Sequence, residues 1–309
     1  PDGNGKIVAG NQLSLVHADG DWTYNISDLA RVWGTSIPNQ ASPAKLAQFD
    51  LPAINTKQPK ILILHANGTN RDHDVALACK LAGGEPEIVH INQLRNGEKH
   101  FADYQMLVVP GGFSYGDDLG AGRLWALDLR TEFADDIAKF VDAGRPIIGI
   151  CNGFQTLVKS GLLPDSDFEN SVTLTYNESA HFECRWVYLQ PNPNSPSLFT
   201  RHLNGLIYCP VAHGEGRLLT IDDHTTQAIQ SENLHALTYV NADGSPASYP
   251  ENPNGSIAGI AGLSNRAGNV FGLMPHPENH IFDWQHPRFH RGEGGGLGLS
   301  LFINGVQNA

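Results

Sequence analysis

From residue 59 onward the apolar positions fall into a regular rhythm. Residues 60–65 (KILILH) are a continuous apolar run, the pattern of a strand buried on both faces. Residues 74–81 place Val75, Ala78 and Cys79 at helical spacing, and Gly83-Gly84 stops the helix. A second strand is expected at 87–91 and a third at 105–110 (QMLVVP), which ends in Gly111-Gly112. Residues 124–143 predict one long amphipathic helix, closed by Gly144. A fourth buried strand at 146–150 (PIIGI) runs into a helix at 154–160, ended by Gly161. Strands alternating with helices over short links predict an α/β fold, with a mostly parallel central sheet flanked by helices.

After Pro164 the texture changes. Residues 171–176 and 181–189 alternate in the antiparallel manner, and further strands are expected at 205–213, 237–240, 256–261 and 269–274. Segments 191–197 and 241–255 read as loops, and 297–303 as a closing helix. Ahead of the regular region, 6–16 reads as one or two short strands. Residues 26–33 read as a short helix that Ser27 and Asp28 could cap. Residues 1–57 hold too few large apolar groups to fold securely alone. They are expected to be an N-terminal extension, and 58–309 the main domain.

Charge narrows the function. Lys and Arg number 20 and Asp and Glu 32, a net charge of −12 over 309 residues. Without a compact basic run, nucleic acid and anionic membrane are poor partners for such a chain. No apolar run approaches the ~20 residues that cross a bilayer. The cysteines are Cys79, Cys151, Cys184 and Cys209, with no CxxC pair. That argues against a structural zinc site or a disulfide scaffold, and for a reducing, cytoplasmic setting. Cys79, Cys184 and Cys209 read as structural.

The most informative stretch is Gly149-Ile150-Cys151-Asn152-Gly153-Phe154-Gln155. A buried strand meets Gly-x-Cys-x-Gly and then a helix, the cysteine form of a nucleophile elbow. Glycine on either side permits the sharp turn. The turn lifts the thiol to the carboxyl end of the sheet, at a helix N-terminus that favours thiolate.

A thiol nucleophile needs a base. Met274-Pro275-His276-Pro277-Glu278 supplies one. In an extended stretch residues two apart share a side, so His276 and Glu278 could face one cleft, the carboxylate orienting the imidazole. His213, in Ala212-His213-Gly214-Glu215-Gly216, is the reserve candidate. His280, His286 and His290 follow closely but lack a metal-binding helical spacing. An oxyanion needs donors. The Asn152 backbone N–H is one, and the glycine-rich Gly111-Gly112-Phe113-Ser114 turn offers a second. The same turn lacks the Lys-Ser/Thr of a phosphate loop.

GICNGFQ with MPHPE resembles the class I, or triad, glutamine amidotransferases. PGGFSYGDDLGAG, ECRWVYL, VAHGEGR and NPNGS, in that order, make residues 59–290 similar to the glutaminase part of the phosphoribosylformylglycinamidine synthases. The resemblance implies Cys151 as nucleophile, His276 as base and Glu278 as its partner. It implies Gly112 and Asn152 as the oxyanion hole, with Gln155, Phe113 and His213 beside the substrate glutamine. It implies no cofactor on this chain, and a synthetase subunit or domain that holds ATP and Mg²⁺. LARVWGTSIPNQ at 29–40 is similar to the tail of a synthetase domain. Asn279, Asp118 and Gly120 depart from the pattern, beside the chemistry. An amidotransferase for another acceptor, a stand-alone cysteine hydrolase of the same fold, and a non-catalytic docking subunit are the rival readings.

Overall fold

A computed structural model describes residues 6–8, 12–17, 20–28, 57–165 and 171–309. The chain divides into two compact units, Pro1–Leu46 with Pro287–Gly294, and Ala47–His286 with Gly295–Ala309. In the first, β1 (Lys6–Val8), β2 (Gln12–His17) and β3 (Gly20–Asn25) form an antiparallel sheet. The third of these strands was not expected from the pattern. Residues 26–28 are helical. Their cap is Asn25 rather than Ser27 or Asp28: its Oδ1 accepts from the Ser27 N–H at 3.0 Å and hydroxyl at 2.7 Å. The rest of the expected 26–33 helix, and the 29–40 likeness, lie outside the described residues.

The second unit is built on one nine-stranded sheet. In chain order its first half contains β4 (Lys60–His65), α1 (Asp72–Leu81), β5 (Glu85–His90), α2 (Ile91–Arg95), β6 (Met106–Val109), α3 (Arg123–Thr131), α4 (Ala134–Asp142), β7 (Ile147–Ile150) and α5 (Asn152–Lys159). The second half contains β8 (Val172–Thr175), β9 (Glu183–Pro191), β10 (Ile207–His213), β11 (Arg217–Thr220), α6 (Asp223–Ser231), β12 (His235–Val240), β13 (Ile260–Ser264), β14 (Val270–Leu273) and α7 (Leu299–Gln307). The strand order is β10-β9-β12-β13-β14-β7-β6-β4-β5. The five strands from β14 to β5 run parallel, and β13, β12, β9 and β10 extend them antiparallel. β8 and β11 pair separately.

The inner parallel strands β6, β7 and β14 have no exposed residue, as strands covered on both faces require, whereas the edge strand β5 (EPEIVH) fully buries only Val89. The expected 124–143 helix is two helices. The Glu132 and Phe133 N–H groups both reach the Asp128 carbonyl, at 2.9 and 3.3 Å. The break turns Phe133 inward, where its ring centroid lies 5.4 Å from that of Phe101. The strand expected at 256–261 begins as a 3₁₀ turn, Ile257–Gly259, with Ala258 at φ 51°. Helices α2 and α6 and strand β11 were not expected. The start of α6 has a readable signal, Asp222, whose Oδ1 accepts from Thr225 N–H at 2.8 Å. Among the described residues no helix is long and apolar enough to cross a membrane.

Candidate active site

Strand β7 enters the site and α5 leaves it, with Cys151 at the corner. Cys151 has φ 52° and ψ −105°, a conformation that side chains rarely adopt and that surroundings must enforce. Its N–H donates to the Leu273 carbonyl at 2.8 Å, and its carbonyl accepts from Gln155 N–H at 3.0 Å. The flanking glycines are required by space. A Cβ on Gly153 would sit 1.8 Å from the Val109 carbonyl oxygen, and one on Gly149 2.7 Å from that of Gly153. The thiol therefore ends at the carboxyl end of β7, lining a cavity of about 410 Å³.

His276 lines the same cavity. Its position is fixed from two sides. The His276 N–H donates to the Pro210 carbonyl at 2.8 Å. Its Nδ1 lies 2.7 Å from Glu278 Oε1, both side chains being almost wholly buried. The two were expected to align along an extended stretch. Instead Pro277–Asn279 is a 3₁₀ turn that brings Glu278 back to the Nδ1 edge of the ring, and Pro277 at its first position suits such a turn. A Cβ on Gly111 would come 2.8 Å from His276 Cε1 and 3.4 Å from Cys151 Cβ. Imidazole and thiol thus converge on one bare backbone position. Burial alone would lower the His276 pKa; the Glu278 carboxylate and Cys151 reverse this and push it up to about 10.

Asn152 opens α5, where first-turn N–H groups have no intrahelical partner. Gly112, at φ 121°, faces the cavity beside it. A Cβ there would meet Asn70 N at 2.7 Å, so the loop must be glycine to lie so close. The next amide, Phe113 N–H, donates to the Gly68 carbonyl at 3.2 Å. Phe113 itself is half-exposed at the cavity mouth, joined there by exposed Tyr176 and Phe182.

His213 is also buried in this cavity, but in a different electrostatic setting. Its Nδ1 lies 3.1 Å from Asn177 Oδ1, and its Nε2 is buried with no partner among the described residues. Burial, then the nearby His276 charge, pushes its pKa down to about 3. A neutral ring with Nδ1–H donating to Asn177 leaves Nε2 as an acceptor, but a ring held so far below its ordinary pKa takes up a proton poorly and makes a weak base in the reserve role. Gln155 lines the cavity and donates through Nε2 to the Glu215 main-chain carbonyl. Asn177, Asp117 and Glu215 were given no role from sequence. Asn177 carries no periodic signal, whereas the carboxylates sit inside the two glycine-rich motifs.

Of the remaining cysteines, Cys79 and Cys209 are fully buried, and burial raises both thiols well above their ordinary value. Cys184 corrects the expectation. It is exposed, because β9 turns Glu183 and Val187 inward and Cys184 outward. His280 and His286 pack in an aromatic cluster, with the His280 ring 5.1 Å from that of Trp186.

Comparison with known proteins bears on this geometry. The profile of the CobB/CobQ-like glutamine amidotransferase domain matches residues 58–308. A phosphoribosylformylglycinamidine synthase subunit PurQ from Treponema denticola is 52% identical over 241 residues, covering 72% of this chain and 89% of that protein. The subunit of the same name from Dehalococcoides mccartyi is 46% identical, covering 80% and 96%. Among solved structures, a chain of PurLQS from Thermotoga maritima matches with a TM-score of 0.61 and 34% identity, over 80% of this chain and 97% of that one.

Proposed function

The chain belongs to the CobB/CobQ-like glutamine amidotransferase family, and we propose that it is the glutaminase component of phosphoribosylformylglycinamidine synthase. It hydrolyses glutamine to glutamate and ammonia, and the ammonia serves the amidation of phosphoribosylformylglycinamide in purine biosynthesis. The observation that carries this reading is the strained Cys151 at the head of α5, facing one cavity with the His276–Glu278 pair. The relatives named above specify the acceptor.

The roles follow from the geometry. His276, its pKa raised to about 10 by Glu278 and Cys151, holds the proton that the Cys151 thiol gives up on becoming the nucleophile. The thiolate attacks the side-chain carbonyl of glutamine. The N–H groups of Asn152 and Gly112 hold the oxygen as it becomes negative. His276 gives its proton to the departing nitrogen, which leaves as ammonia, and a glutamyl thioester remains. Neutral His276 then takes a proton from water as the water attacks the thioester. Glutamate leaves and the thiolate is restored. Glu278 keeps the ring oriented and stabilises its charged form throughout. Phe113, Gln155 and His213 flank the bound substrate.

Ammonia made in open water would be protonated and lost, so the site needs a cover. Exposed Phe113, Tyr176 and Phe182 at its mouth suit burial against a synthetase partner. That partner holds the ATP and Mg²⁺ of the amidation. In this reading residues 1–57 are an extension akin to a synthetase tail, and the free thiol operates in the reducing cytoplasm.

A glutaminase assay with and without the synthetase, using Cys151→Ala as control, tests the reading. Cys151→Ala should abolish glutamine-dependent amidation while the complex still uses free ammonia. Equal loss with both nitrogen sources would refute the assignment.

A further inference from the structure

A second cavity, of about 960 Å³, is walled by β9, β12 and residues 244–259, and shares no lining residue with the cavity at Cys151. That volume suits a drug-sized molecule. The chemistry assigned above makes no use of it.

Its wall selects against charge. Among the described residues that line it none is Lys, Arg or His. Its one carboxylate, Glu178, is paired with Arg217 at 2.9 Å. A phosphate there would be buried without a counter-charge. What the wall offers is apolar surface from Val240, Pro246 and Pro253, with the carboxamides of Gln190 and Gln230 able both to donate and to accept. Asn252 adds a more specific demand. It is only 9% exposed, and its Nδ2 donates to the Ser256 carbonyl at 3.0 Å. Its Oδ1 is buried with no partner among the described residues. Such an acceptor costs stability until an N–H or O–H reaches it. Tyr249 contributes an aromatic ring already held in place, the Arg185 guanidinium lying 5.0 Å from its centroid. Aromatic and apolar walls with donor–acceptor carboxamides suit a flat, uncharged heterocycle.

Hydrogen bonds join this wall to the catalytic cavity. Ser256 Oγ donates to Asn254 Oδ1 at 2.7 Å, and Asn254 Nδ2 donates to the Tyr239 hydroxyl at 3.2 Å and the Gly216 carbonyl at 2.8 Å. Gly216 N–H donates at 3.1 Å to Asn177 Oδ1, the oxygen that also faces His213 Nδ1. The chain has no slack. A Cβ on Gly216 would come 2.6 Å from His213 Nδ1 and 3.0 Å from Asn254 Nδ2. A shift of residues 252–256 is therefore felt at His213.

We propose that this second cavity is an effector site for an uncharged heterocycle with an N–H-bearing edge, of the nucleobase and nucleoside class, and that its occupant acts on the catalytic cavity through Asn254, Gly216 and Asn177. The ligand donates to Asn252 Oδ1, fixes residues 252–256, and so fixes Gly216 against His213.

Binding is measured by calorimetry on the full chain with adenosine, guanosine, cytidine and uridine, each beside its monophosphate. At least one nucleoside should bind saturably, and its monophosphate about tenfold more weakly or worse. Gln190→Leu keeps the side-chain volume and removes the carboxamide; it should weaken binding roughly tenfold, the worth of one hydrogen bond. Ala247→Trp fills the space and should abolish binding. Saturation should also shift the imidazole resonance that is missing from His213→Gln. The assignment is overturned if no nucleoside binds, if the monophosphates bind as tightly, if binding is unchanged in both variants, or if the His213 ring does not respond at saturation. None of these readouts needs turnover of glutamine, so the glutaminase reading stands or falls separately, by its own assay.

Discussion

Two histidines in one cavity are pushed in opposite directions. His276 follows β14, at the edge of the parallel strands, and has a carboxylate 2.7 Å from Nδ1. His213 ends β10, on the antiparallel side, and has an amide oxygen 3.1 Å from Nδ1. Both are almost completely buried. Burial alone would depress both, yet His276 is pushed up to about 10 and His213 down to about 3. The difference teaches that the partner, rather than depth, decides which ring can carry the proton. A carboxylate supplies the compensating charge; an amide supplies only a dipole. The two sides of the cavity thereby divide the labour: one ring moves a proton, and the other presents a lone pair.

The comparison breaks most completely if the His276 partner is made to resemble that of His213. Glu278→Gln keeps the shape but removes the charge. The His276 pKa should fall from about 10, because Cys151 alone then opposes the burial penalty. Glutamine-dependent turnover should drop on the order of 10³- to 10⁴-fold, as when a triad carboxylate becomes an amide. Imidazole NMR titration together with steady-state kinetics checks this. A variant with full turnover and an unshifted ring would show that Glu278 is an ordinary buried partner.

The parallel side was the more legible in the sequence. Buried strands such as 60–65 and 146–150 need no partner to be recognised, since an unbroken apolar run has few other uses. The elbow was legible because two close approaches, at Gly149 and Gly153, demand glycine at fixed spacing around Cys151. His276 and Glu278 were read as a pair, though a turn rather than an extended strand brings them together. The antiparallel side hid more. The partner of His213 is Asn177, in a loop with no periodicity, and only the tertiary fold joins them. The helix break at Phe133 was likewise invisible, since its cause is a distant ring, Phe101.

The converse substitution sharpens the comparison with a smaller effect. Asn177→Asp puts a carboxylate beside His213. It should raise the His213 pKa toward that of His276 and place a second positive ring in the cavity. The Nε2 lone pair is then lost as an acceptor, and KM for glutamine should rise roughly tenfold. The same change removes the Asn177 Nδ2 donations to the His181 and His213 carbonyls, at 2.9 and 2.7 Å. A stability loss of about 1–3 kcal/mol should accompany it. Urea unfolding separates that loss from the kinetic effect, and a normal KM with His213 protonated would deny the ring any part in binding.

The smallest expected effect is on stability against pH, and the two rings should act with opposite sign. The unfolded value for both is 6.5. For His213 the folded value is lower. Below 6.5 the unfolded chain binds the extra proton, so this ring costs stability as pH falls toward about 3. One unit below the unfolded value the loss is about 1 kcal/mol. For His276 the folded value is higher. Its contribution is complete below 6.5 and is lost as pH rises toward about 10. Urea midpoints followed across pH should therefore lose part of their acid decline in His213→Gln, and part of their alkaline decline in His276→Gln. Subtracting variant from wild type cancels the titrations that the two share. Matching curves on both limbs would mean that the rings have the same charge state, and the contrast between carboxylate and amide partners could no longer explain how the cavity assigns its proton.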